Sequence, residues 1–219
     1  MIDEAPKRRV GRPSAEAQQQ ARSRILQASL ELFAERGIAG VPDSAIAQSA
    51  GVTPAMVRYY FSSREALLDA LFGEFIRPFV CRIWHVEEAS WQRSLDVLSE
   101  LAHGIVAAAQ LHPWLPHLWM REVVSETGQL RSRIVALLPE LPMGRLAALV
   151  RQEQQQGLVP CTVQPGLIFV SMIGLIMMPL SIDLWRNLPD NQSIAPEQIV
   201  DHALTLLGYG LYGHTGNTH

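Results

Sequence analysis

Residues 43–68 read Asp43-Ser-Ala-Ile-Ala-Gln-Ser-Ala-Gly-Val-Thr-Pro-Ala-Met-Val-Arg-Tyr-Tyr-Phe61-Ser-Ser-Arg-Glu-Ala-Leu-Leu68, and this stretch limits the possible folds more than any other part of the chain. The small Ala47 lets two helices approach closely, and Gly51 supplies the left-handed backbone that a three-to-four-residue turn needs. Thr53 is placed to cap a following helix whose first position is Pro54, a residue that has no N–H to leave unsatisfied there. Val57 and Phe61, four apart, share the face that must turn back onto the first helix. The spacing therefore predicts a helix-turn-helix over residues 43–50 and 54–60, with Ala55, Met56, Arg58 and Tyr59 on the outward face.

Further phrases accompany this one in order: Leu32-Phe-Ala-Glu-Arg-Gly37 closing an amphipathic helix, Ile46-Ala47, Ala50-Gly51-Val52, the aromatic cluster Tyr59-Tyr60-Phe61, and Ser63-Arg64-Glu65 leading to Leu67-Leu68. Over roughly residues 20–70 the chain thereby resembles the TetR/AcrR transcriptional regulators. The resemblance implies a protein that binds a palindromic double-stranded DNA operator as a homodimer, most often as a repressor released by a small molecule. It also implies a set of DNA contacts. Ala55, Met56 and Arg58 would face the major groove from the second helix of the motif, Thr53 at its start would be a further DNA contact, and Ser44 would reach a base from the first. Tyr59 and Tyr60 match backbone-contacting aromatics, although Tyr60 has an alternative place packed beside Phe61. Arg64 matches a basic residue that anchors a phosphate. Arg58 has two readings, a bidentate guanine contact that would specify sequence or a phosphate contact that would not. Two positions depart from the family pattern besides Arg58, which stands where tyrosine is common. Val41 replaces the usual threonine, and Asp43 replaces an apolar residue, so Pro42 and the Asp43 carboxylate must open the first helix of the motif through fixed φ and the helix dipole.

Charge distribution agrees with DNA contact at one end. Residues 1–65 hold nine Lys/Arg against seven Asp/Glu, whereas residues 66–219 hold nine against fourteen. Residues 7–24 carry six basic side chains and one acid, a pattern that favours a polyanion there and nowhere else. Within that tract Lys7-Arg-Arg-Val-Gly-Arg-Pro13 offers Arg12 between glycine and proline, as in arms that enter a narrow A·T minor groove; a solvated basic tail that raises affinity for any sequence is the other reading.

The 219 residues allow a small domain and a larger one. Residues 1–17 are expected as a basic mobile arm, 18–63 as the three-helix DNA-binding domain, 64–213 as a helical ligand-binding and dimerisation domain, and 214–219 as a disordered tail. Apolar periodicity and stop signals predict helices over about 17–36, 43–50, 54–60, 64–86, 91–110, 115–126, 128–156 with an interruption near Pro139 and Pro142, 167–187 and 196–212. Ser62 and Glu65 have the spacing of a capping box for the helix at 64, and residues 157–165 read as a loop. No stretch alternates long enough to demand a strand, so the expected fold is all-α. The apolar run 167–182 is interrupted by a proline and is too short to span a membrane. It is expected to be buried on all sides, and the resemblance pairs it with 196–212 in a dimer interface, with Ser171 and Gly174 permitting close approach.

For the second domain the sequence offers His103, Trp114, His117, Trp119, Arg121, Glu122, Met172 and Met177 as lining for an effector, a mix of aromatic, soft and a few polar groups. Neither a nucleophile elbow, a phosphate loop nor metal-ligand spacing is present, so neither an enzyme nor a cofactor or metal protein is expected. Cys81 and Cys161 form no pair motif, and Cys81 with His85 supplies only two ligands; with no targeting segment visible, a cytoplasmic protein is expected. The competing reading is a ligand-independent DNA-binding protein whose C-terminal domain docks a protein partner.

Overall fold

A computed structural model describes residues 15–182 and 194–213. All regular structure among these residues is helical. Helix α1 (Ala15–Arg36) takes up the last three residues of the stretch expected as an arm; the rest of that arm, Arg12 included, and the tail 214–219 lie outside the described residues. Ile25, Leu26, Leu30 and Phe33 of α1 are buried because the helix packs against four others: α2 (Asp43–Ala50), α3 (Pro54–Tyr60), α4 (Arg64–Leu71) and α7 (Trp114–Trp119). Gly51 ends α2 at φ +64°, the left-handed conformation that its lack of a Cβ makes inexpensive, and turns the chain into α3 (Pro54–Tyr60). Thr53 Oγ1 accepts the Met56 N–H at 3.3 Å, so the expected cap is present, and α2 opens at Pro42 with no side-chain cap.

Helix four differs from the expectation in two ways. Its cap is Ser63, whose hydroxyl accepts the Ala66 N–H at 3.1 Å, while Glu65 is drawn away to Arg133 at 2.6 Å instead of reaching back as a capping box would. It is also interrupted. A π-helical turn, Phe72–Ile76, separates α4 from α5 (Arg77–Ile83), and Pro78 follows at once. Proline cannot donate to the carbonyl one turn back, and a widened turn adjusts the bonding there.

The larger body is arranged around α6 (Ser94–Leu111), which packs against α5, α7, α9 (Met143–Gln155), α10 (Ile168–Ser181) and α11 (Pro196–Tyr212). Val97, Leu98, Leu101 and Ala102 of α6 have essentially no exposure. Trp91 falls in a 3-10 turn before α6. The helix expected over 115–126 is α7 followed by a second π-helical turn, Met120–Val124. The helix expected over 128–156 is divided into α8 (Arg131–Leu137) and α9, parted by Pro139 and Pro142. Helix α10 ends at Ser181, and residues 183–187 of the predicted element lie outside the described residues.

Burial of α10 on all sides is not observed. Met172, Ile176 and Met177 enter the core, whereas Leu167, Val170 and Met178 are largely exposed on another face. Leu206 and Tyr209 of α11 are exposed as well. An apolar helix can thus keep one face in a subunit's core and leave a second for something else. No helix among the described residues is long and apolar enough to cross a membrane.

Candidate nucleic-acid interface and interior cavity

Helix α3 buries Val57 against the rest of the three-helix unit, and Phe61 is buried just beyond its end. Because successive side chains turn by about 100°, that anchoring directs Ala55, Arg58 and Tyr59 outward, and all three are exposed, Tyr59 at 70%. Met56 and Tyr60 are half-buried, and Tyr60 meets Tyr59 edge-on with ring centroids 5.2 Å apart. Ser44 is exposed on α2. These residues share one outward side of the motif, with a guanidinium that has no ion-pair partner among the described residues, a phenol and small apolar groups, a set that suits the wide major groove of B-DNA.

Arg64 is engaged elsewhere. Its Nη2 donates to the carbonyls of Ile38 at 2.6 Å and Val41 at 2.9 Å, its guanidinium lies 4.4 Å from the centre of the Phe33 ring, and Nη1 stands 3.6 Å from the Asp43 carboxylate. Burial lowers its pKa from the ordinary arginine value, with Asp43 and Glu122 opposing the shift. The side chain expected at a phosphate therefore organises the turn between α1 and α2.

The same turn is gripped from the other side by the larger body. Glu122, buried at 5% exposure, accepts the Ile38 N–H on Oε1 at 2.8 Å and the Gln129 N–H on Oε2 at 3.0 Å. Arg121 donates to the Glu35 carbonyl at 2.7 Å. Between them lies Gly37 at φ +78°, where a Cβ would come within 3.2 Å of Arg121 Cδ and 3.3 Å of Glu122 Oε1. Only glycine meets both the left-handed backbone and the close approach. Arg133 of α8 adds a third tie, to Glu65 and Asp69 of α4 at 2.6 and 2.7 Å.

The residues expected to line an effector site separate into distinct places. Trp119 and Met177 line a small wholly apolar cavity of about 30 Å³ between α5, α6, α7 and α10, together with Phe79, Ile83, Phe169 and Ile173. Trp114, His117 and Arg121 border an open cleft against α1 instead. His103 is exposed, with Nδ1 2.8 Å from the Ser99 carbonyl of its own helix. Met172 is buried in the core away from the cavity lining, and Glu122 serves the α1–α2 turn. The sequence reading missed the α5 residues Phe79, Val80, Ile83 and Trp84. Their i, i+4 spacing was visible, but spacing cannot tell a cavity wall from filled core.

Residues 25–71 match the family model described as "Bacterial regulatory proteins, tetR family". The chain is 23% identical over 159 residues to the Bacillus subtilis (strain 168) protein named "Probable HTH-type transcriptional regulator YttP", a match covering 72% of this chain and 76% of the relative. Among solved structures, the ketosteroid transcriptional regulator KstR2 of Mycobacterium tuberculosis superposes with a TM-score of 0.67 at 17% identity, covering 92% of this chain and 97% of the other. AibR, solved in complex with isovaleryl coenzyme A and operator DNA, superposes with a TM-score of 0.64 at 20% identity, covering 88% and 100%. Residues 25–71, which hold the helix-turn-helix, thus match the DNA-binding unit of the bacterial tetR family, and the all-helical body behind them has the fold of these solved regulators.

Proposed function

We propose that the protein is a ligand-responsive repressor that binds a palindromic operator as a homodimer. One observation carries the reading. Trp119, the last residue of α7, lines the apolar cavity, and two and three residues on, in the π-helical turn that follows, Arg121 and Glu122 hold the α1–α2 turn. A ligand that displaces Trp119 acts on the segment that positions the three-helix unit, and it favours one spacing of the two reading heads to the extent that it binds that state better. AibR, which shares the fold, was crystallised with both a small molecule and its operator.

In this reading Arg58, Ala55 and Met56 face base edges, Ser44 reaches a base, and Thr53, Tyr59 and Tyr60 face the backbone. Arg12 approaches the minor groove from the arm. The exposed apolar faces of α10 and α11 meet their symmetry mates, since a monomer would leave both faces in water. The protein acts where its operator lies, in the cytoplasm.

The test is selection of the bound sequence from a random duplex library, followed by a screen of metabolites and drugs for release of that duplex. A selected palindrome and a compound that both releases it and raises the thermal midpoint are the expected result. Tight operator binding that no compound relieves would support the alternative, a ligand-independent regulator whose C-terminal domain meets a protein partner.

A further inference from the structure

The cavity beside Trp119 is too small by itself for a metabolite, since about 30 Å³ has room for only about two or three water-sized groups. A second hollow lies across α5. It is a groove of about 300 Å³ between α5 and α6, and Phe79 and Ile83 line both spaces. Helical geometry makes these two residues a partition. They are four apart on one stripe; Val80 and Trp84, one position on, face the inner cavity, while Pro78 and Arg82, one position back, face the outer groove. Phe79 and Ile83 are only half-buried, which leaves both side chains room to change rotamer. The π-helical turn immediately before α5 gives that helix a place to shift.

The two compartments differ in chemistry. Apolar side chains line all of the inner one. The outer one has a floor of small residues, Gly104, Ala107 and Ala108, and carries Arg82, His112 and Glu74. The Glu74 carboxylate accepts from both terminal nitrogens of Arg22, so its charge is matched. Arg82 has no ion pair among the described residues. The groove thus has one unmatched formal charge, and it is positive.

We propose that the groove and cavity form a single site for an amphiphilic anion, an aliphatic chain bearing a carboxylate or similar head. The chain passes between Phe79 and Ile83 into the inner cavity, and the head pairs with Arg82. This rests on the reading that the protein is a ligand-responsive repressor, and it names the chemical class of effector.

The experiment is calorimetric titration of the full chain at neutral pH, without DNA, with sodium octanoate, 1-octanol and octylammonium chloride. Octanoate should bind at least about tenfold more tightly than either of the others. Arg82→Gln, at an exposed position, should reduce octanoate to the affinity of octanol and leave octanol unchanged; Ala107→Phe, which fills the groove from an exposed helical position, should weaken octanoate and octanol alike. Equal binding of the three probes, preference for the ammonium, no binding by any, or insensitivity of octanoate to Arg82→Gln overturns the assignment. Release of operator DNA by octanoate is measured separately. Binding with the expected variant pattern but without release would leave the anion site standing and remove the repressor switch.

Discussion

The Ile38 backbone N–H and the buried carboxylate of Glu122 are 84 residues apart in sequence and 2.8 Å apart in space, and the Ile38 carbonyl on the opposite side accepts from Arg64. One residue of the α1–α2 turn is thus held on its N–H by an acid from the larger body and on its carbonyl by a base from α4. Glu122→Ala removes the acceptor for two amides, those of Ile38 and Gln129, and a buried donor left unsatisfied costs about 1–3 kcal/mol. Urea unfolding should show a loss in this range, with a smaller loss for Glu122→Gln, which keeps one acceptor oxygen. Operator affinity should fall for the alanine variant, and unchanged unfolding would show that water replaces the carboxylate.

Arg58 projects from α3 without an ion-pair partner among the described residues. Arg58→Ala should weaken the cognate operator by about 1–3 kcal/mol and relax preference at one base pair of each half-site, as loss of a bidentate guanine contact does. Binding to a panel of single-base operator variants checks this. A uniform loss across the panel would assign Arg58 to the phosphate backbone.

Arg64→Ala is expected to act on stability before it acts on DNA. Two carbonyls and the Phe33 face lose their partner, and hydrogen bonds to charged groups contribute about 1.5–3 kcal/mol. The thermal midpoint should drop, and Arg64→Lys should restore only part of it, because a single ammonium cannot reproduce a guanidinium that bonds and stacks at once. An unchanged midpoint with weakened DNA binding would return Arg64 to a phosphate.

Gly174 lies on the exposed side of α10, and a Cβ there would meet no atom of the same subunit within 4 Å. Gly174→Arg should therefore fold normally and yield monomers in sedimentation equilibrium, with operator binding lost. Dimers of unchanged affinity would place the interface on another surface.

The Arg22 hydrogen bonds hold the Glu74 carboxyl below its ordinary pKa and so link α1 to the π-helical turn of helix four. A carboxylate depressed in the folded state adds stability above its unfolded pKa and loses it as the pH falls through the folded value. The difference in unfolding free energy between the protein and Glu74→Gln should thus shrink below about pH 4.3. Both side chains are partly exposed, 29% and 44%, so the effect should not exceed about 1 kcal/mol and should weaken with salt. A pH-independent difference would mean that packing of the Glu74 stem, not its charge, carries the effect.

What the sequence determined by itself was local. The Gly51 turn, the Thr53 cap and Pro54 at the start of α3 are each fixed by interactions within four residues, and α2 and α3 have the predicted bounds. The outward face of α3 followed, because burying Val57 and Phe61 leaves Ala55, Arg58 and Tyr59 no other direction. The tertiary structure decided everything that depends on distant partners. Ser63 caps α4 and Glu65 turns to Arg133, a side chain 68 positions on. The two π-helical turns lie where long helices were expected, since only packing makes a widened turn better than a regular one. Trp119 meets Met177 across the cavity, while Glu122, three residues beyond Trp119, reaches Ile38. Local preferences place a side chain on a face of its helix; which neighbour that face meets is set by the packing of helices far apart in the chain.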